Sequence, residues 1–393
     1  MKNNHGGEIL VKNGKNLTYL RAANQGAILK TILLSGPSTR LDLASTLNLT
    51  AMSISYITSD LLEKGILCEL SAEARCNAPG RHSTQLALVP EKIMAIGVSI
   101  ARAFVRFTLA DLQGTVIYSS KILLDEQTTS ERLTLLLIEK MQTILCNYPQ
   151  HRILGIGISA IGIVDTRSGT LSETTDFFGI HNWPIARILQ EHFELPVYIV
   201  EDMKSSALAE SYYGSAKNYT DFVYLGITRG IGIGVIYNGK LFEGHNGFSG
   251  EIGHVTLYNH GLKCPCGNMG CMEMYLSVPV ILKKAGLLSW DEFLAFCEED
   301  PDNPILAQLL EDLGVALVTL ANLFDPQAII VGHEGAMLNS ACFEKMQEIL
   351  NERAITRRLR SITVHPSSLS DRISYLNAPA VVFSRLFLGE FKL

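Results

Sequence analysis

Apolar positions along this chain follow two rhythms. Near the N-terminus the spacing is helical: Ile28 with Ile32 and Leu29 with Leu33 stand four apart, predicting a helix over 24–36 that stops at Gly36-Pro37. Ser38-Thr39 can cap a second helix from Arg40 to Leu47, whose Leu41, Leu43, Ala44 and Leu47 form an apolar face. After the turn Asn48-Leu49-Thr50, a third helix runs through Ile54, Ile57, Leu61 and Leu62 and ends at Lys64-Gly65. Residues 66–70 and 85–89 read as two strands of a wing. From Met94 onward the rhythm changes. Strand-like runs at 94–100, 153–158, 197–200, 222–226 and 328–331 alternate with helical stretches at 131–145, 184–193, 203–213 and 304–323, an α/β pattern.

Two helices joined by so tight a turn predict a helix-turn-helix whose second member enters the major groove of DNA. Thr50, Ser53, Ser55 and Tyr56, early on that helix, are the candidate DNA contacts, and Arg81 in Gly80-Arg81-His82 could reach a phosphate or the minor groove. The alternative is three packing helices of an interaction domain. Charge leans toward DNA: residues 1–90 hold nine Lys/Arg against six Asp/Glu, about +3, and the remainder carries about −9 of the total of −6.

With 393 residues, 47% hydrophobic and 18% charged, the chain can build two or three cored domains. No apolar run reads as a membrane span and no secretion signal opens the chain, so no membrane partner is expected. Eight cysteines, three of them between Cys264 and Cys271, argue for a reduced cytoplasmic protein with one metal site. His254 with Cys264, Cys266 and Cys271 makes a closed set of one imidazole and three thiolates, the composition of structural Zn2+ sites, with no open position for a catalytic water.

Gly244-His245-Asn246-Gly247-Phe248-Ser249-Gly250-Glu251-Ile252-Gly253-His254-Val255, followed by Cys264-Pro265-Cys266-Gly267-Asn268-Met269-Gly270-Cys271-Met272-Glu273, resembles the signature of the ROK family of bacterial sugar kinases and sugar-responsive repressors. The resemblance spans nearly the whole chain, since the repressor branch also carries an N-terminal winged helix. It implies an actin-like, ribonuclease-H-like fold of two α/β lobes with the sugar between them. On that basis we expect a winged helix-turn-helix over 1–90, a first lobe over 91–202 completed by 376–393, and a second lobe over 203–375 bearing the metal site. The resemblance also implies sugar-binding roles for Asp202, Glu251, His254 and Glu273, and, less directly, for Asn182 with the adjoining Trp183. Carboxylates suit a ring of hydroxyl donors.

The nucleotide half departs from the kinases. Their Asp-x-Gly-Gly-Thr loop is Ser99-Ile100-Ala101-Arg102-Ala103 here, and the second phosphate loop is Gly226-Ile227-Thr228-Arg229-Gly230-Ile231-Gly232-Ile233-Gly234, only partly retained. Phosphoryl transfer depends on positioning and neutralising phosphates, so Asp202 reads as a binding residue, with no catalytic residue expected. Glu201 replaces the usual Asn before it; two carboxylates facing the cleft would favour a neutral sugar over a sugar phosphate. The expectation is a DNA-binding regulator, a homodimer or homotetramer, whose operator affinity changes with a small sugar. The alternatives are a sugar kinase using Asp202 as base and a regulator answering to a sugar-transport protein.

Overall fold

The computed structural model describes residues 17–70, 84–149, 151–174 and 177–393, which fall into two compact units: the chain up to Val89 with Arg385–Leu393, and Pro90–Ser384. In the N-terminal unit, α1 (Leu17–Ser35), α2 (Arg40–Leu47) and α3 (Ala51–Glu63) accompany a three-stranded antiparallel sheet of order β1-β3-β2, with β1 Ser38–Thr39, β2 Leu67–Leu70 and β3 Gln85–Leu88. Ile28, Leu29, Leu43, Ile54, Leu61 and Leu86 close its core with no exposed surface. Helix α1 starts seven residues before the expected position 24.

Local chemistry sets the helix-turn-helix. Thr39 Oγ1 accepts the Asp42 N–H at 3.1 Å while the Asp42 carboxylate accepts the Thr39 N–H at 3.0 Å, a reciprocal cap on α2. Asn48 ends α2 in the left-handed region (φ 51°), and Thr50 caps α3 by accepting the Ser53 N–H at 3.2 Å. Arg40 joins α2 to α3 and the wing, donating to Thr58 Oγ1 at 3.2 Å and pairing with Glu69 at 2.9 Å.

The tail corrects one expectation. The segment expected to complete the first lobe divides: 376–384 falls within Pro90–Ser384, and 385–393 clusters with the N-terminal unit. A Cβ on Gly26 would collide with the Leu386 and Phe387 carbonyls, and Lys64 Nζ donates to the Leu393 carbonyl at 2.7 Å. These contacts join positions hundreds of residues apart and leave no local pattern.

The larger unit holds two five-stranded sheets. The first contains β4 (Met94–Ile100), β5 (Phe104–Asp111), β6 (Val116–Leu123), β7 (Ile153–Ala160) and, after the small ribbon β8 (Ile163–Asp165) and β9 (Thr170–Glu173), β10 (Val197–Glu201). Its order is β10-β7-β4-β5-β6, with β4, β7 and β10 parallel and α4 (Ser130–Asn147) and α5 (Ile185–Phe193) as its helices. The second has order β13-β12-β11-β14-β15, from β11 (Phe222–Ile227), β12 (Ile231–Tyr237), β13 (Lys240–Leu241), β14 (Ala328–His333) and β15 (Thr363–Pro366).

Between them runs α6 (Asp202–Tyr213), which touches both sheets and is buried from Met203 to Tyr212. The remaining helices are α7 (Glu273–Leu276), α8 (Val278–Ala285), α9 (Trp290–Glu299), α10 (Pro304–Phe324), α11 (Ser340–Arg353) and α12 (Ile373–Phe387). Helix α10 is long and apolar enough to cross a membrane by length and composition, contrary to the sequence expectation. Its Leu306, Leu313, Leu317 and Leu320 lie in the core of the second sheet, which accounts for that composition.

Candidate ligand cleft and metal centre

Strand β10 leads directly into α6, and two carboxylates stand at the junction. Glu201 is the cap: its Oε1 accepts the Met203 N–H and its Oε2 the Lys204 N–H, both at 3.1 Å. Asp202 is the first helical residue. Burial pushes the Glu201 carboxyl well above the usual range, and the Asp202 charge adds to the rise. Burial raises Asp202 too, against the nearby Arg102 guanidinium. Glu251 is raised by burial and then by Glu201, with Glu273 adding and Lys204 and His254 opposing. Asp202, Glu251, His254 and Glu273 are thus gathered within one electrostatic neighbourhood. Gly230 borders it, since a Cβ there would stand 2.7 Å from Glu273 Oε2.

Both Glu201 oxygens are thus engaged on the N-terminus of α6. Asn182 is exposed in a left-handed turn (φ 50°), and among the described residues its side chain makes no hydrogen bond to the carboxylates. Trp183 is a core residue, 3% exposed, its indole N–H donating to Thr134 Oγ1 at 3.0 Å.

The stretch that resembles a phosphate loop has another use here. A Cβ on Gly226 would strike the Met203 sulfur, one on Gly232 would stand 3.1 Å from Met203 Cγ, and one on Gly234 would stand 2.5 Å from the Met203 carbonyl. All three glycines admit α6 against β11 and β12. Ser99, at the position of the kinase carboxylate, donates to Asn377 Oδ1 at 2.6 Å. Asn377 in turn donates to Ser159 Oγ at 3.0 Å, and Ser159 meets Ser205 Oγ at 2.7 Å. This buried chain joins the ends of β4 and β7 to α6 and α12. Sequence reasoning passed over it, along with Lys204, because isolated Ser, Asn and Lys residues carry no spacing signal.

Four donor atoms of His254, Cys264, Cys266 and Cys271 lie within 4.8 Å of one another. His254 Nδ1 is 3.7 Å from Cys264 Sγ, and Cys266 Sγ is 3.7 Å from Cys271 Sγ. A tetrahedron with metal–sulfur bonds near 2.3 Å has edges of about 3.8 Å, so the donor set fits a metal ion. The loop depends on Gly270, in the left-handed region (φ 70°), where a Cβ would collide with the Tyr258 carbonyl. Asn268 Nδ2 donates to Cys271 Sγ at 3.3 Å and to Thr256 Oγ1 at 3.1 Å, steadying one thiol from outside the donor set. Tyr258 donates to Asp312 on α10, which pushes its phenol up to about 12, and Gln308 Nε2 donates to Tyr258 Oη at 2.9 Å.

In the N-terminal unit, Ser55 and Tyr56 are exposed, whereas Thr50 and Ser53 share the cap, Thr50 Oγ1 donating to Ser53 Oγ at 3.0 Å. Arg81 lies outside the described residues.

Comparisons with known proteins bear on the whole chain. It is 29% identical to the xylose repressor of Caldicellulosiruptor bescii, covering 94% of this chain and 97% of that one. It is 28% identical to the Escherichia coli K12 DNA-binding transcriptional dual regulator NagC, covering 95% of each. A crystal structure described as a ROK family transcriptional regulator, homolog of E. coli MLC protein, aligns with TM-score 0.78 at 23% identity over 94% of this chain and 98% of that one, which shows a shared fold. Residues 95–383 match the model of the ROK family. The chain therefore belongs to the ROK family.

Proposed function

We propose that this chain is a sugar-responsive, DNA-binding transcriptional regulator, a repressor by analogy with its relatives, of genes for carbohydrate uptake or catabolism. The observation that carries this reading is the use of Gly226, Gly232 and Gly234 to pack α6, beside an intact carboxylate cluster at the start of that helix. The candidate sugar-binding carboxylates are present, whereas the first phosphate loop is replaced by Ser99–Ala103 and the second is only partly retained, so the site suits sensing rather than phosphoryl transfer. Asp202, Glu251 and Glu273 would accept sugar hydroxyls. His254 would place Nδ1 on the metal and turn its other nitrogen toward the ligand. Structural zinc is the metal best suited to three thiolates and one imidazole. Asn182 has weaker support, since the described geometry leaves it exposed.

Thr50, Ser53, Ser55 and Tyr56 on α3, with Arg81 nearby in sequence, would meet operator DNA. Two copies must present their recognition helices about 34 Å apart to engage successive major grooves, so a homodimer or a homotetramer built from two such pairs is expected. Sugar binding would change operator affinity through a coupling of typically about 1–3 kcal/mol. This assigns the protein to the cytoplasm and its effector to a free or phosphorylated sugar.

The experiment is selection from a random duplex pool by the zinc-loaded full chain, repeated with added xylose, N-acetylglucosamine, glucose and their phosphates. Enriched duplexes that one sugar releases or retains support the reading. Enrichment indifferent to sugars but altered by a sugar-transport domain would move the effector to that protein. Steady ADP release from ATP and a sugar would restore the kinase.

A further inference from the structure

The recognition helix α3, Ala51–Glu63, contains no Arg, Lys, Asn or Gln. It therefore lacks every side chain that reads guanine or adenine by paired hydrogen bonds in the major groove. Its surface is nonetheless sharply divided. Ile54, Ile57, Thr58 and Leu61 are buried, and on the opposite side Met52, Ser55, Tyr56 and Ser59 recur at spacings of three and four as one exposed stripe. Met52 heads that stripe and is 84% exposed, with Ala51 exposed beside it. A methionine so open to water in the first turn of a helix gains nothing for the fold. Tyr56, the other large member, is already engaged: Arg21 donates to its hydroxyl at 3.1 Å, lies 4.8 Å over its ring, and pairs with Asp60 at 3.0 Å.

Resting on the DNA-binding reading, we propose that Met52 and Ala51 read thymine methyl groups, so that each operator half-site presents thymines beneath the first turn of α3. The only exposed apolar feature of the major groove is the C5 methyl of thymine, and a flexible thioether matches it. The serine hydroxyls at 55 and 59 can give to or accept from either base pair, which leaves the discrimination to the apolar pair. Positive charge for the phosphates then comes from outside the helix, with Arg21 standing at its flank.

The test uses the full chain and duplexes enriched from a random pool. Each thymine of the enriched half-site is replaced in turn by deoxyuridine, which removes the methyl and keeps the pairing. At one or two adjacent positions the wild type should lose about fourfold in affinity per methyl, and Met52→Ala should be insensitive there. Met52→Arg should enrich guanine at the same positions. Because residue 52 projects into solvent, neither variant should alter the melting temperature. Guanine at those positions for the wild type, or deoxyuridine effects that are absent or equal in wild type and Met52→Ala, would overturn the assignment while leaving DNA binding intact. Failure to enrich any duplex would overturn both.

Discussion

Lys204 Nζ donates to the carbonyl oxygen of Gly247 at 2.7 Å, and this lysine is only 1% exposed. A buried ammonium on α6 therefore ties that helix to the loop that carries Glu251. Its charge also offsets those of Glu201 and Glu251, which both feel it.

Lys204→Met should cost about 3 kcal/mol of stability, because it leaves a buried carbonyl unpaired and two carboxylates less compensated. Urea unfolding checks the loss. Sugar affinity, followed by calorimetry on the folded fraction, should fall with it as the Glu251 loop loosens. Unchanged sugar affinity would detach Glu251 from the ligand.

Acidity should act on this site with a definite sign. Glu201 and Asp202 have their carboxyls raised above the ordinary 4.5 and 3.8, so the folded state holds protons that the unfolded chain releases. Their contribution is greatest below those ordinary values and is lost as pH rises through the raised folded-state range. Glu201→Gln, which carries no charge, should gain stability relative to the wild type as pH goes from 4 to 7. Denaturation of the two proteins across that interval measures the difference. If the stability of Glu201→Gln minus that of the wild type stays flat or falls over this interval, Glu201 ionises in the folded state at no cost.

The metal loop should be all or none at Gly270. Gly270→Ala combines a left-handed backbone (φ 70°) with a collision against the Tyr258 carbonyl. Metal analysis should show one zinc per wild-type chain and a large deficit in this variant. Chelation of the wild type should lower both its melting temperature and its sugar affinity, since the proposed sugar site and the metal set have His254 in common. Loss of metal without loss of sugar binding would separate them.

Releasing the tail tests the composition of the DNA-binding unit. Gly26→Leu must push away the backbone at Leu386 and Phe387, so it should destabilise the N-terminal unit and weaken duplex binding, with sugar binding retained. Differential scanning calorimetry with parallel sugar titration distinguishes this from global unfolding.

What could be read from the residues depended on range. The cap at Thr39, the turn over 48–50 and the Cys264–Cys271 loop are set by neighbours within a few positions, and sequence patterning located them. Carboxylates Asp202, Glu251 and Glu273 were reachable through the family resemblance, and the fold gathers them with His254. The core packing of Trp183 and its bond to Thr134 were not legible, because an aromatic beside Asn182 looks the same in a cleft as in a core. Glu201 was legible in principle, since an acidic residue between a strand and a helix is a natural cap. Lys204 was not, because lysine is ordinarily exposed, and its partner Gly247 comes from a distant loop. The 385–393 tail likewise depends on contacts that span most of the chain.

Isothermal calorimetry of the zinc-loaded full chain against free sugars, their 6-phosphates and a non-hydrolysable ATP analogue tests the central claim most directly. The account predicts saturable heat from one sugar or sugar phosphate, abolished in Asp202→Asn, and no binding of the ATP analogue. Clear binding of the analogue would contradict it, because the space between α6 and the glycines of β11 and β12 would then have to open for phosphates.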